Sequence, residues 1–283
     1  MRRVDDNAAM PAVLILALLS QAASTAAQPT KIDGATAYVY KSAGPHQLRL
    51  HVFHPKRPGS NAAIVFFFGG AWTQGDVAQF APQARQLAQR GMVAILADYR
   101  VRSRHGTTPF AAMADARSAL RWVRSHAAQL GIDPNKVVAA GGSSGGHIAL
   151  SAAVFDTLDE AGEDTTISAK PNALVLFNPA VDTSRGGVLF ADRGRDASPL
   201  HHLRAGLPPM LILHGKADTT VPYADVERFC SEANALGNQC RLVGYDGATH
   251  GFFNLGRGEK WYRETLLEAD RFLTMLGYLR PSS

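Results

Sequence analysis

The hydrophobic residues of this chain gather in nearly unbroken runs of strand length. Five such runs cover residues 63–68, 92–97, 136–140, 173–177 and 210–214. Strands with one face in water alternate apolar and polar residues, whereas strands covered on both faces are apolar throughout. The pattern therefore predicts a parallel sheet with helices on each side.

Between these runs, apolar residues recur at spacings of three and four, which indicates helices with one buried face. These predicted helices cover residues 80–89, 109–130, 145–155, 223–236 and 259–276. Two earlier stretches, 37–40 and 47–53, alternate and predict an antiparallel hairpin. Together the elements predict a doubly wound, mostly parallel α/β sheet in one domain over residues 28–283.

A serine lies where the run 136–140 turns into the helix 145–155. The sequence there is Gly141-Gly142-Ser143-Ser144-Gly145-Gly146. It matches G-x-S-x-G, the nucleophile elbow, in which a sharp strand-to-helix turn presents a serine hydroxyl outward. Glycines two positions before and after the serine are needed because side chains there would collide with the strand and the helix. Ser143 is the predicted nucleophile, although Ser144 also fits the motif in the neighbouring frame.

A serine nucleophile needs a base, and the base needs an anion that orients it. Asp218 follows the strand 210–214, and His250 follows a short strand predicted over 241–245. Separately, Asp218 could cap a helix and His250 could bind a loop carbonyl. Their chain order after Ser143 is the order of the α/β-hydrolases, and each lies just past a strand, which favours a catalytic triad.

Acyl transfer also requires N–H donors for the negative charge that develops on the carbonyl oxygen. The strand that ends at Phe68 continues into Gly69-Gly70-Ala71-Trp72. The amides of Gly70, Ala71 and Ser144 are therefore predicted to form an oxyanion hole. The alternative for the glycine segment is a simple tight turn.

With these residues in place, the chain resembles the α/β-hydrolase superfamily, and within it the hormone-sensitive-lipase-like esterases and bacterial carbohydrate esterases. The resemblance runs from about Tyr38 to Leu279. The supporting motifs are Phe68-Gly69-Gly70-Ala71-Trp72 for the family's H-G-G-G-W, Asp98-Tyr99-Arg100 for D-Y-R, Gly141-Gly142-Ser143-Ser144-Gly145-Gly146 for G-D-S-A-G-G, residues 214–218 for H-G-x-x-D, and His250-Gly251-Phe252 for H-G-F.

The resemblance assigns the nucleophile to Ser143 and implies a serine carboxylesterase for short, acetyl-type acyl groups. Acetylated or feruloylated polysaccharides are its hypothetical substrates. Two departures stand out, because Phe68 replaces the family's histidine and Ala71 replaces its last glycine. Only one modest insertion, residues 182–207, is available as a cap, so an open pocket is expected.

Two other functions share this fold. A serine peptidase of the prolyl-oligopeptidase type would use the same elbow, but that group normally carries a large N-terminal propeller, for which this sequence leaves no room. A non-catalytic binding protein would be marked by loss of Ser143, Asp218 or His250, and all three are present. The esterase is therefore the leading prediction.

The net charge of +5 does not indicate a nucleic-acid partner, because lysines and arginines are scattered among acids. One local concentration, Arg100, Arg102 and Arg104, alternates along a predicted strand end and is expected to be a solvated edge, or to favour an anionic substrate. No metal site and no cofactor are predicted, since no cysteine or carboxylate stands at ligand spacing beside the histidines. His147 and His214 are expected to be structural.

Residues 1–27 have the features of a secretory signal peptide. Arg2 and Arg3 precede the apolar stretch 11–19, which is followed by the small residues 22–27. The apolar stretch is shorter than the roughly 20 residues of a membrane span. A secreted or periplasmic protein without stable membrane insertion is therefore expected. The two cysteines, Cys230 and Cys240, could pair in that compartment or stay free, and the sequence leaves this open.

Overall fold

The computed structural model describes residues 27–57 and 59–281. The predicted signal peptide, residues 1–27, lies outside the described residues apart from Ala27.

An eight-stranded sheet forms the centre of the described part of the chain, in the order β1-β2-β4-β3-β5-β6-β7-β8. The strands are β1 (Thr36–Ala43), β2 (His46–Phe53), β3 (Asn61–Phe67), β4 (Val93–Ala97), β5 (Ile132–Gly142), β6 (Ala173–Phe177), β7 (Met210–Gly215) and β8 (Cys240–Tyr245). Strands β3 to β8 are parallel to one another, whereas β1 and β2 form an antiparallel hairpin and β2 pairs antiparallel with β4. The predicted fold class, including the hairpin, is confirmed.

Helices flank this sheet. They are α1 (Ala81–Arg90), α2 (Arg102–His105), α3 (Pro109–Ser125), α4 (Ala127–Leu130), α5 (Ser144–Val154), α6 (Tyr223–Ala235) and α7 (Glu259–Met275). Helix α3 begins at a proline, whose fixed φ suits a first helical position. The helix predicted over 109–130 is divided at His126, where the backbone leaves helical geometry.

The apolar runs of the sequence are the interior strands of the sheet. Every residue of β4, β6 and β7 is buried, whereas the edge strand β1 is largely exposed or half-buried. Next to the elbow, Phe80 stacks on Phe253, and both contact Phe177. This aromatic cluster supports the elbow from below, because the ring of Phe253 lies against Gly142.

The prediction that Arg100, Arg102 and Arg104 form a solvated edge at a strand end is wrong. Strand β4 ends at Ala97, and Arg102 and Arg104 lie on the short helix α2. Arg100 is half-buried and pairs with Asp115, while the side chain of Arg104 is only 7% exposed. Arg100 and Arg104 are held by separate buried partners, so the three arginines do not form one solvated edge.

A disulfide joins Cys230 in α6 to Cys240 at the start of β8, with 5.4 Å between the Cα atoms. Both residues are buried.

Replacing both cysteines, Cys230 and Cys240, with serine is expected to lower the free energy of unfolding by about 2 to 3 kcal/mol, because the closed loop of ten residues restricts the unfolded chain. Denaturant unfolding of the serine variant, and of the wild type under oxidising and reducing conditions, measures this difference. A wild-type protein equally stable in both conditions would contradict it.

Among residues 27–57 and 59–281, no helix combines the length and the apolar character that crossing a bilayer requires.

Candidate active site

The parallel strands bring the predicted residues to one edge of the sheet. Gly142 at the end of β5 pairs with Phe177 in β6, and Phe177 pairs with Leu213 in β7. Gly215 at the end of β7 pairs with Tyr245 at the end of β8. The loops that follow these strands therefore start side by side, at the carboxyl edge where ligands bind in open α/β sheets.

Ser143 has the strained backbone of a nucleophile elbow. Its φ is 55° and its ψ is −120°, a region that side-chain-bearing residues rarely adopt. The turn is held because the amide of Ser143 donates to the carbonyl of Phe177 at 2.9 Å, and the amide of His147 donates to the carbonyl of Ser143 at 3.0 Å.

The contacts around Ser143 explain why Gly141 and Gly145 must be glycine. A Cβ atom on Gly145 would lie 2.1 Å from the carbonyl oxygen of Phe67, and one on Gly141 would lie 2.7 Å from the same oxygen. Both distances are far below van der Waals contact, so either side chain would force α5 away from β3. The close approach of helix and strand is what leaves the serine at the tip of the turn.

The structure brings Ser143, Asp218 and His250 together. Nε2 of His250 lies 3.0 Å from Oγ of Ser143, and Nδ1 of His250 lies 2.7 Å from Oδ2 of Asp218. The imidazole is 26% exposed, whereas the Asp218 side chain is fully buried. Ser144, the alternative serine, is buried as the first residue of α5 and makes no such contact with His250. These distances suit proton transfer from the Ser143 hydroxyl to His250.

Asp218 is held as an anion. Burial by itself raises the pKa of a carboxyl, but the hydrogen bond with His250 and those from the amides of Thr220 and Val221 bring the pKa of Asp218 below its ordinary value. Both amides donate to Oδ1 at 2.9 Å, which leaves Oδ2 for the imidazole. The carboxylate can therefore keep Nδ1 of His250 protonated and Nε2 free to accept a proton.

Two further side chains position this pair, and the sequence did not reveal the role of the first. Asn178 follows β6 with a φ of 36°, and its Oδ1 accepts from the amide of Gly251, next to His250. His214 is buried and lies with Nε2 2.9 Å from the carbonyl of Val221, which supports the Asp218 loop and agrees with its expected structural role. An asparagine directly after a strand was the available signal for Asn178.

The predicted oxyanion donors come from two segments, the loop after β3 and the first residue of α5. Gly70 has a φ of 141° and Ala71 a φ of 52°, and within the described residues no acceptor takes a hydrogen bond from either amide or from that of Ser144. The Gly69 amide is not available, because it donates to Oε1 of Gln79 at 2.7 Å. The amides of Thr73 and Gln74 close a turn by donating to the carbonyl of Gly70, and the unpaired N–H groups of Gly70 and Ala71 are free for a ligand oxygen.

Phe68, which replaces the family's histidine, is packed beneath the loop. Its ring stacks on Tyr99 with 4.0 Å between centroids, and the Tyr99 hydroxyl donates to the carbonyl of Phe68 at 2.6 Å. Aromatic packing and one hydrogen bond therefore support the loop where the family uses a polar side chain.

His147 joins the two halves of the predicted oxyanion hole. Its Nδ1 accepts from Nε1 of Trp72 at 3.2 Å, and its Nε2 lies 2.8 Å from the carbonyl of Ala197. Burial lowers the pKa of His147 to about 4, so the ring is neutral near pH 7 and can act as acceptor on one side and donor on the other. Trp72 directly follows Ala71, and His147 lies one turn after Ser143, so this bond ties the loop to the elbow.

Replacing His147 with phenylalanine is expected to lower kcat by roughly 10- to 100-fold with little change in KM, because small displacements of positioning groups are costly in this way. His147→Gln is the matched control. Its amide offers an acceptor to Trp72 and a donor to Ala197, so it should retain most of the activity. Steady-state kinetics of both variants test this, and equal losses would rule out a positioning role for the hydrogen bonds.

The insertion 182–207 reaches the same loop. It contains the 3₁₀ helices Gly187–Phe190 and Pro199–His202, and the buried ring of Phe190 packs edge-on against Trp72 with 5.0 Å between centroids. Through Phe190, the insertion packs on Trp72 as a small cap. Metal-binding geometry is absent from the described residues, where no three His, Cys, Asp or Glu side chains are placed to hold an ion.

This fold is similar to solved structures of esterases. Thermogutta terrifontis esterase 2, in a form phosphorylated by paraoxon, is 47% identical with a TM-score of 0.86, over 89% of this chain and 98% of that protein. The propionate-bound form of the same esterase gives a TM-score of 0.85 at 47% identity, over 89% and 97% of the two chains.

The sequence is also similar to curated esterases and to two protein families. A probable isoprenylcysteine alpha-carbonyl methylesterase of Arabidopsis thaliana is 28% identical over 71% of this chain and 48% of its own length. Esterase LipC of Mycobacterium tuberculosis is 28% identical over 70% and 54%. This chain thus spans about half the length of these curated relatives. Residues 50–184 match the family described as BD-FAE, and residues 190–271 match the prolyl oligopeptidase family.

Proposed function

Because this chain belongs to the α/β-hydrolase superfamily, among the esterases that resemble hormone-sensitive lipase, we propose that it is a serine carboxylesterase acting on small esters with short acyl chains. One observation carries the proposal: Oγ of Ser143 lies 3.0 Å from Nε2 of His250, whose Nδ1 lies 2.7 Å from the buried carboxylate of Asp218.

In the proposed reaction, Oγ of Ser143 attacks the ester carbonyl while Nε2 of His250 takes its proton. The resulting imidazolium is stabilised by Asp218, which stays ionised. The tetrahedral intermediate collapses as His250 passes the proton to the leaving alcohol, which leaves the acyl group on Ser143. Water, deprotonated by His250, then releases the carboxylic acid and restores the serine.

The amides of Gly70, Ala71 and Ser144 would hold the oxyanion. Each donor of this kind contributes about 3 to 4 kcal/mol to transition-state stabilisation where its loss has been measured. Ala71 adds a methyl group where the family has glycine, but the donors are backbone groups, so the hole does not depend on that side chain.

Short acyl groups are supported by a close relative. Structures of the Thermogutta esterase, which is 46–47% identical to this chain, are described as propionate-bound and butyrate-bound. We extend this to acetyl-type esters here, with acetylated or feruloylated polysaccharides as candidate natural substrates.

A second candidate is a serine peptidase, which the match of residues 190–271 to the prolyl oligopeptidase family favours. That match covers the loops of Asp218 and His250, which esterases and peptidases of this fold share. It does not include Ser143 or the segment from Gly69 to Trp72.

We also propose that the protein is exported. The N-terminal residues read as a signal peptide, and the Cys230–Cys240 disulfide suits an oxidising compartment. Sequencing the N-terminus of protein recovered from periplasm and from culture medium would distinguish the two destinations, and a protein that keeps its first residues in the cytosol would contradict export.

The proposed activity is tested by comparing p-nitrophenyl acetate, butyrate and decanoate with a p-nitroanilide peptide. The highest kcat/KM is expected for acetate or butyrate, with a steep fall at decanoate. Efficient cleavage of the anilide without ester turnover would favour the peptidase, and no turnover of any substrate would favour a binding protein.

A further inference from the structure

Two side-chain amides, those of Gln79 and Asn254, connect the loop after β3 with the loop after β8, which carries the proposed base. The loop after β3, residues 69–75, is called the oxyanion loop below. Oε1 of Gln79 accepts from the amide of Gly69 at 2.7 Å, and Nε2 of Gln79 donates to Oδ1 of Asn254 at 3.2 Å. Nδ2 of Asn254 donates to the carbonyl of Gly251 at 2.8 Å. A continuous chain of three hydrogen bonds therefore joins the oxyanion loop to the residue next to the proposed base.

The two side-chain amides satisfy this chain of hydrogen bonds in one orientation only. Gly69 offers an N–H group and Gly251 offers a carbonyl, whereas each side-chain amide has one accepting end and one donating end. Turning either amide over would bring two oxygens together at one end and two N–H groups together at the other. The orientation of Gln79 therefore depends on Asn254, and the loss of one amide is expected to release the other.

The peptide group that Gln79 holds directly precedes the two predicted oxyanion donors of this loop. Its carbonyl, that of Phe68, accepts from the Tyr99 hydroxyl at 2.6 Å, and its N–H, that of Gly69, donates to Gln79. This peptide plane cannot rotate without breaking a hydrogen bond at one end. The backbone held in this way lies beside the nucleophile, because a Cβ atom on Gly69 would be 3.3 Å from Cβ of Ser143.

We propose that Gln79 and Asn254 are positioning residues, which hold the oxyanion loop and the loop of His250 at the separation that catalysis requires. Both act through backbone groups of these loops. The two loops must work in the same step, because the oxyanion develops on the substrate while His250 takes the proton from Ser143. The catalytic part of this inference rests on the proposed function, whereas the coupling between the two loops does not.

Steady-state kinetics with p-nitrophenyl acetate test the catalytic part. Gln79→Met removes both hydrogen bonds and keeps a side chain of similar length, so kcat should fall roughly 10- to 100-fold with KM nearly unchanged. Asn254→Leu, at an extended residue with a φ of −73°, should cause a loss of the same kind. The double variant should be about as slow as the slower single variant, because both changes break one chain of bonds. Gln89→Met, the same change at an exposed glutamine of α1, is the matched control and should keep the wild-type kcat.

Amide hydrogen exchange, followed by NMR for individual residues, tests the coupling without catalysis. Gln79→Met should speed exchange of the Gly69 amide about fivefold or more, which corresponds to the loss of one ordinary hydrogen bond. Asn254→Leu should also speed it, although this change leaves both atoms of the bond between Gly69 and Gln79 in place. Gln89→Met should leave the exchange of Gly69 unchanged.

Unchanged exchange of the Gly69 amide in Asn254→Leu would overturn the proposal. So would losses in kcat that multiply in the double variant, because they would show that Gln79 and Asn254 act independently. If Gln79→Met does not fold, the exchange measurement on Asn254→Leu decides by itself. A wild-type protein that hydrolyses no ester would contradict the proposed function, and the exchange of Gly69 would still confirm or overturn the coupling of the two loops.

Discussion

Replacing Ser143 with alanine is expected to lower kcat for p-nitrophenyl acetate by roughly 10⁴- to 10⁶-fold, the loss typical of removing the nucleophile from a triad. The change removes one oxygen at a half-buried position and leaves the backbone turn to be held by the hydrogen bonds from the Ser143 and His147 amides. The folded structure should therefore persist while the acyl-enzyme can no longer form. Burst kinetics and unfolding curves of the purified variant measure both effects.

Ser144→Ala is the matched control. Ser144 is the adjacent residue of the same turn, its hydroxyl makes no hydrogen bond with His250, and its amide is kept in the variant. Its kcat is expected to stay within a few-fold of wild type. If Ser144→Ala lost the activity and Ser143→Ala kept it, the other frame of the G-x-S-x-G motif would hold the nucleophile.

The predictable part of this molecule is the part dictated by local pattern. Unbroken apolar runs indicated the buried strands, so β6 was predicted at its observed limits, Ala173–Phe177. The elbow could be placed because the sharp turn leaves no space for side chains beside Ser143, and glycines stand at those positions in the sequence. Ser143, Asp218 and His250 could be proposed together because parallel strands end at one edge, although nothing in the sequence gives the distances between them.

The part that could not be predicted depends on contacts between distant segments. The side chain of Asn178 accepts a hydrogen bond from the His250 loop, and that of Gln79 accepts one from the Gly69 amide. A local sequence pattern does not show which residues form such bonds. Arg104 alternates in sequence with two other arginines, yet its burial is set by Gly75 and Phe68. The periodicity of apolar residues indicates which face of a helix or strand is buried. It does not indicate which distant group will hydrogen-bond to a polar side chain.

Replacing Asp218 with asparagine is expected to lower kcat by about 10⁴-fold while the fold is retained. The side-chain oxygen of the introduced amide can still accept from the amides of Thr220 and Val221, so the loop keeps its shape. The NH₂ group of that amide would instead donate to Nδ1 of His250, which places the ring proton on Nε2. In that tautomer the imidazole donates to Ser143 and cannot take its proton.

Asp246→Asn is the matched control, because Asp246 is an exposed carboxylate on the loop of His250 and pairs only with Lys216 in the described residues. Its kcat should equal that of wild type. The Asp218→Asn loss should appear in kcat with KM nearly unchanged, since Asp218 contacts His250 and leaves substrate binding to other groups. A loss below about tenfold would mean that orientation of His250 does not depend on this carboxylate. The hydrogen bond between Asn178 and the His250 loop would then be the next interaction to test.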